Sequence, residues 1–472
     1  MIKSDRIYQV LLNYDFDLFR GSKSITEYIS EHLSRYYAEI TAAVEGENVF
    51  LGDYFIQLLK EKLPTLEELC QKIPAILSFF DNGHIKEAYN QSSCLFDRIE
   101  PLLLRRLSWY GNGGNFYRIR QGDFRITNPS DSKKKKAELF HIKKDLRNRI
   151  GAYRYSVAGY PCLYLASDRE LAWFECGMPK QFSFCQMIIT EEGEDALKLV
   201  DFSNRPLDLL SSVSIWILNA RRQNKAEDEL KKIYDFLIKY IITYPLAAAC
   251  SVKVKDRGNK YVEEYIFPQL FMSWIRESDD IDGVCYKSSL NSTLVQGMGA
   301  INVALPVKKF RDDGLDERMA SQIGISDIGY LDVNKDFQKY QHVLADLESY
   351  IHKLRVYIIE SPYAGSYISE LIDISECIIK TYTALMEGTY TNSELLFTYV
   401  DRLCDYADLL YTCRDNKAQQ CIDKAPSDKK AFLDRAVIES HFEEFNNLAR
   451  QILKKHTVFD FTFENLDNFE YL

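Results

Sequence analysis

The sequence lacks most of the features that identify a protein at a glance. It has no Cys-x-x-Cys pair and no paired histidine ligands; its eleven cysteines are scattered and it has seven histidines. That excludes a zinc ribbon and a disulfide scaffold, so no metal is expected, and dispersed unpaired thiols read as reduced cysteine in a cytoplasmic protein. An excess of basic charge is also missing. Lys and Arg total 59 against 69 Asp and Glu, a net charge of −10, which argues against a protein built to grip a nucleic-acid backbone. Long apolar runs are absent too. The stretch YIITYPLAAACSV from Tyr240 stops at Lys253 and contains Pro245, which reads as too short to cross a bilayer, so no membrane association is expected. The opening MIKSDRIYQVLLNYDFDLF scatters charge where a leader would keep an apolar core, so no secretory signal is expected. There is no internal repeat, and no low-complexity tract beyond KKKK at 133–136.

What remains is a globular chain of 472 residues, 46% hydrophobic and 27% charged, long enough for two to four folding units. Residues 1–110 read as helical. SITEYISEHLSRYYAEITAAV from Ser24 places apolar residues at three- and four-residue steps behind a serine suited to an N-cap. The run GNGG at 111–114 breaks this pattern and predicts a boundary. Residues 111–310 mix short β-rich runs, NFYRIR, PCLYLA, FCQMII, GVCYKS and INVALPV, with loops and a few helices. Residues 329–472 return to amphipathic helical stripes, as in FQKYQHVLADLESYIHKLRVYIIE, and predict a bundle followed by an acidic tail. The expected class is α+β, a β-rich middle flanked by two helical regions.

The middle carries the chemistry. In YRYSVAGYPCLYLASDRELAWFE, residues 153–175, Arg154 precedes Tyr164 by ten residues and Tyr164 precedes Glu175 by eleven. CLYLA predicts a buried strand and RELAWFE the helix after it. Downstream, DGVCYKSS supplies Ser288, with Ser289 as the register alternative, and INVALPV supplies Asn302. Upstream, NFYRIR supplies Arg118. A structural ion pair would account for an Arg and a Glu flanking a strand, but it does not say where the Tyr and Ser should fall.

These spacings resemble the RES domain family, named for its Arg, Glu and Ser, over roughly residues 115–307. The sequence departs from compact members in Tyr155-Ser156 after the arginine and in the long insert between Glu175 and Ser288. The resemblance implies a fold similar to ADP-ribosyltransferases and a reaction that consumes NAD by breaking its nicotinamide–ribose bond. NAD would be a substrate, not a cofactor, with water or inorganic phosphate taking the ADP-ribose. It implies Glu175, Arg154, Tyr164 and Ser288 as catalytic residues, and Arg118, Asn302 and Ser289 as substrate-binding ones. The residue types suit that chemistry. A carboxylate stabilises an oxocarbenium-like ribose, planar guanidinium forks suit a diphosphate, and a tyrosine ring suits nicotinamide. Members are similar to toxins of toxin–antitoxin pairs, so an antitoxin or regulatory protein is an expected partner, as are further copies of the chain through the helical regions. The alternatives are an ADP-ribosyltransferase acting on a macromolecule and a non-enzymatic nucleotide sensor.

Other motifs compete less well. The lysine-rich 130–149 segment reads as a solvated face. GMGAIN at 297–302 leads into an apolar strand where a dinucleotide loop would lead into a helix. Adjacent Glu263 and Glu264, expected in a strand, would point to opposite faces and are read as structural. Arg435 and His441, six residues apart on a helix, suggest a helical ribonuclease, but that spacing does not share one helix face. The tail HTVFDFTFENLDNFEYL alternates aromatics and could add a strand to a partner or to this chain.

Overall fold

The computed structural model describes residues 5–16, 18–105, 115–177, 179, 181–189, 197–222, 226–255, 261–288, 301–332, 337–360, 362–386, 403, 406–430, 434–456 and 470–472. The fold is α+β. Among these residues one mixed sheet holds nine strands: β1 (Asn115–Gln121), β2 (Cys162–Ala166), β3 (Gln181–Ile189), β4 (Leu199–Phe202), β5 (Gly283–Lys287), β6 (Ile301–Pro306), β7 (Ile323–Ile325), β8 (Gly329–Asp332) and β9 (Glu470–Tyr471). The order is β4-β5-β6-β2-β1-β3-β7-β9, with β8 beside β3. Only β4 and β5 pair in parallel. Each of the five β-rich runs of the sequence lies in a strand, none extending more than one residue past it. β4, β7 and β8, of three or four residues each, are too short to give a periodic signal.

The helices preceding and crossing the sheet are α1 (Arg6–Leu12), α2 (Ile25–Val44), α3 (Asp53–Asp81), α4 (Ile85–Ile99), α5 (Ser132–Leu139), α6 (Arg169–Glu175), α7 (Pro206–Arg222), α8 (Ala226–Ser251) and α9 (Ile266–Glu277). Ser24 caps α2 as its sequence suggests, in a reciprocal box with Glu27. α8 departs from expectation. It runs 26 residues straight through Pro245, and by length and composition it could cross a bilayer, yet 78% of its apolar window is buried inside the protein. Interior proline costs about 3 kcal/mol in an isolated helix; burial of Leu237, Ile241, Ile242, Leu246 and Ala248 offsets it.

Register divides the sheet into two faces, because alternate residues of a strand point to opposite sides. Phe202, Tyr286, Asn302, Ala166, Tyr117 and Gln186 lie in line across one face. The other face carries Leu163, Leu165, Cys185, Met187, Cys285, Val303 and Leu305, packed with α5 residues Ala137 and Leu139 and with Met319. On the first face two apolar layers form. Val200, Phe202, Val284 and Ala304 join a core with α1–α4 and α7–α9. Ile119, Ala166, Phe182 and Phe184 join a second cluster with α6 and the C-terminal helices Phe337–Glu360, Gly365–Met386, Arg414–Lys424 and Arg435–His456.

The first of these layers alters the expected organisation. The described N-terminal helices α1–α4 share one core with helices of the middle segment: α3 packs on α8, α4 on α9, and Tyr36 donates to the carbonyl of Ile241 at 2.9 Å. The GNGG run at 111–114 lies outside the described residues. Several charged features also find structural employment. Arg20 bridges both Glu263 (3.3 Å) and Glu264 (2.7 Å), which sit in a short 3-10 turn, Glu263–Tyr265, where a strand was expected. Lys136 of the lysine run is fully buried beside Asp327 and Glu470, so the run is not uniformly solvated. The tail adds its strand to this chain, with Glu470–Tyr471 pairing antiparallel to β7. Arg435 binds Glu439 one turn along its own helix, and His441 packs on Tyr357 at 4.3 Å; they do not converge on a ribonuclease-like site. A fragment of residues 110–310 would therefore expose the apolar side of α8 and α9. It is expected to lack a cooperative thermal transition by circular dichroism, and a sharp transition like that of the full chain would show the N-terminal layer to be dispensable.

Candidate active site

Glu175 is the last residue of α6, and the corner between β2 and α6 decides where it lands. Ser167 fixes that corner to β6. Its N–H donates to the carbonyl of Ile301 (2.8 Å) and its Oγ accepts from the Ile301 N–H (3.0 Å). Leu171, Ala172 and Trp173 are buried, while the end of α6 turns out to solvent. Glu175 is therefore exposed, above Asn302, the β6 residue after Ile301.

Two donors converge on one oxygen of Glu175. Ser288 Oγ donates to Oε1 at 2.8 Å and Asn302 Nδ2 donates to the same atom at 2.7 Å. Both donors are buried, Ser288 at 7% and Asn302 at 4% exposure. No described residue donates to Oε2, and among the described residues no Lys or Arg forms a salt bridge with Glu175. The carboxylate is thus held in one orientation by neutral groups. Ser289, the alternative serine, lies outside the described residues, as do the first four residues of GMGAIN; Ser288 is the one seen on Glu175.

Tyr286 completes this cluster and was not singled out in the sequence. It pairs in register with Asn302 and stands two residues before Ser288, on the same side of the strand. Burial first, and then the charge of Glu175, raise its phenol well above the usual range, so it stays neutral. Its ring packs at 4.8 Å on Tyr155, which is buried. The tyrosine in DGVCYKSS was the available signal: alternation along a strand puts it on the face of the following serine.

The other expected residues are placed differently. Tyr164 lies on the same sheet face, opposite Ala304 and two residues along the ladder from Asn302. Its hydroxyl accepts from the Tyr155 N–H (3.2 Å) and pairs with Ser156 Oγ at 2.7 Å. Tyr153 meets its ring edge-on at 6.1 Å. Arg118 pairs with Cys185 and so starts from the opposite face. β1 and β2 share only the Tyr117–Ala166 pair, and Arg118 Nη1 reaches the carbonyl of Tyr164 at 2.7 Å. Its Nε is buried with no hydrogen-bond partner, and burial lowers the pKa of the guanidinium.

Arg154 is not brought onto the Glu175 cluster. It is buried, and its guanidinium donates to the carbonyls of Cys250 (2.8 Å) and Val252 (3.0 Å from each of two nitrogens). The expectation that it grips a diphosphate therefore meets a guanidinium already engaged with backbone at the end of α8. A tight turn explains why. Tyr153 and Ser156 exchange two backbone hydrogen bonds (2.9 and 3.1 Å), so Arg154 and Tyr155 occupy the turn and point into the core. Gln269 of α9 fastens the turn by donating to the carbonyls of Tyr153 and Ser156.

The chain is similar to a protein of Bacillus subtilis (strain 168) named "Putative toxin YopC", with 28% identity over 276 residues, 56% of this chain. The match spans 59% of that protein's length. No family profile matches the sequence, and no solved structure matches it.

The Tyr164 hydroxyl supports two groups at once. Tyr164→Phe should cost about 1–3 kcal/mol in urea unfolding, because the Tyr155 N–H and Ser156 Oγ each lose a partner. An unchanged midpoint would show that the turn does not depend on it.

Proposed function

We propose that the protein is an NAD-degrading enzyme that cleaves the nicotinamide–ribose bond and acts as a toxin or defence effector by depleting NAD. One observation carries this reading: an exposed carboxylate, oriented by Ser288 and Asn302 through a single oxygen, with no cation bound to it among the described residues. A carboxylate kept for structure is normally consumed by a cation or by backbone donors. One left open, with no cation on it, is suited to stabilising positive charge that develops beside it.

In NAD the bond between ribose C1′ and the nicotinamide nitrogen breaks with its electron pair leaving on nicotinamide, which departs as a neutral molecule. The ribose is left with oxocarbenium character. The exposed Glu175 carboxylate is the group proposed to stand opposite that developing charge. A water attacks C1′ and loses a proton, giving ADP-ribose; a phosphate oxygen attacking instead gives ADP-ribose-1″-phosphate. Tyr286, neutral, and Tyr164 provide flat apolar surface for the pyridine ring. Arg118, half-buried with an unpartnered Nε, is the cation proposed for the diphosphate. The relative's name agrees with a toxin role and says nothing of NAD. The rival reading, transfer of ADP-ribose to a macromolecule, uses the same cleavage and differs in the product: ADP-ribose stays attached to a protein or nucleic acid.

Glu175→Gln tests the assignment. It preserves size and can still accept from Ser288 or Asn302, so folding and NAD binding should persist. Turnover should fall by at least about a hundredfold, as expected for loss of a preorganised electrostatic group. Lowered thermal stability with unchanged turnover per folded molecule would make Glu175 a structural residue and remove it from the mechanism.

A further inference from the structure

We infer that Arg154 is a positioning residue that ties the end of α8 to the Glu175 cluster through Tyr155 and Tyr286, and not a residue that grips the substrate's phosphates. This rests on the proposed NAD chemistry only for its kinetic consequence; the tie itself is a property of the free protein.

The connection can be followed contact by contact. Arg154 binds the carbonyls of Cys250 and Val252 with three hydrogen bonds of 2.8–3.0 Å. The last carbonyls of a helix have no intrahelical donor, and a buried cation there is favoured by the helix dipole as well. Tyr265 adds its ring at 5.7 Å from the guanidinium carbon. The next residue, Tyr155, is 1% exposed and packs at 4.8 Å, tilted 52°, on Tyr286. Tyr286 lies beside Asn302 in the β5–β6 ladder, and Asn302 donates to Glu175. Gln269 holds the turn from the other side, through the carbonyls of Tyr153 and Ser156.

A phosphate-gripping arginine would present its fork to a cleft, with its donors served by solvent or ligand. Here both terminal nitrogens of the fork donate to backbone carbonyls. Lysine cannot reproduce it, because a single ammonium cannot bind two carbonyls in the planar geometry of a guanidinium. Weakening the tie should let Tyr155 and Tyr286 shift, and a shift of the floor under Asn302 misplaces the Glu175 carboxylate. Since α8 belongs to the core built with α1–α4, the N-terminal helices bear on the site through this residue.

The test is a set of three variants in the full chain, compared with wild type below the onset of unfolding. In Arg154→Lys without ligand, hydrogen exchange should speed up in residues 153–156 and in β5 and β6. ADP-ribose affinity by calorimetry should stay within about twofold, and kcat per folded molecule should fall about tenfold or more with little change in KM. Tyr155→Ala, which leaves the arginine in place, should reproduce both the exchange and the kcat effects, and Tyr155→Phe, which keeps the ring, should not. Unchanged exchange in β5 and β6 would overturn the inference whether or not the protein cleaves NAD. So would a tenfold loss of ADP-ribose affinity in Arg154→Lys, which marks a phosphate ligand, or an unchanged kcat, which marks a purely structural one. A wild type that leaves NAD intact would count against the proposed reaction and leave the exchange result to decide the tie.

Discussion

A carboxylate held by an arginine is oriented with a cation already on it; one held by hydroxyl and amide donors is oriented with no cation on it. Glu175 is of the second kind, and the account of the site depends on that difference. Its donors come from neighbouring strands, Ser288 from just past β5 and Asn302 from β6, so they meet on one oxygen only if those strands are in their observed register. The register in turn needs close strands. A Cβ at Gly283 would lie 2.4 Å from the carbonyl oxygen of Ala304, a contact no side chain tolerates. The glycine that opens GVCYKS is thus a condition for the serine that follows it to reach Glu175.

The position of the cluster follows from how the sheet is covered. Helices of the N-terminal core pack over β4–β6, and the C-terminal helices share a cluster with β1, β3 and α6. Ala166, Asn302 and the end of α6 fall along the line where these two layers adjoin. β1 and β2 diverge there after a single register pair, leaving room for the Arg118 side chain to cross to the Tyr164 carbonyl. A polar, partly open line between two apolar layers is where a binding site costs least, since little core must be given up to make it.

Much of this could be read from the residues. Alternating apolar runs located five strands, and the spacing of Tyr164 and Glu175 survived as a strand followed by the helix after it. Ser288 and Asn302 were expected from the family resemblance, and in the structure both donate to Glu175. Arg154 shows the limit of spacing as information. Its distance from Tyr164 says nothing about which way a turn side chain points, and the two backbone bonds between Tyr153 and Ser156 send it inward. The packing of the N-terminal helices shows another limit. An amphipathic stripe tells that a helix has a buried face, not what buries it, so the shared core of α3 with α8 was invisible. Lys136 is a third case: nothing in KKKK distinguishes the lysine that meets Glu470, more than three hundred residues later, from its solvated neighbours.

The central claim is that this site breaks the bond between nicotinamide and ribose. The most direct measurement is mass analysis of the products after the purified full chain is incubated with NAD, with and without inorganic phosphate. The account predicts free nicotinamide in both, together with ADP-ribose, or ADP-ribose-1″-phosphate when phosphate is the acceptor. NAD recovered intact by a folded protein would contradict it.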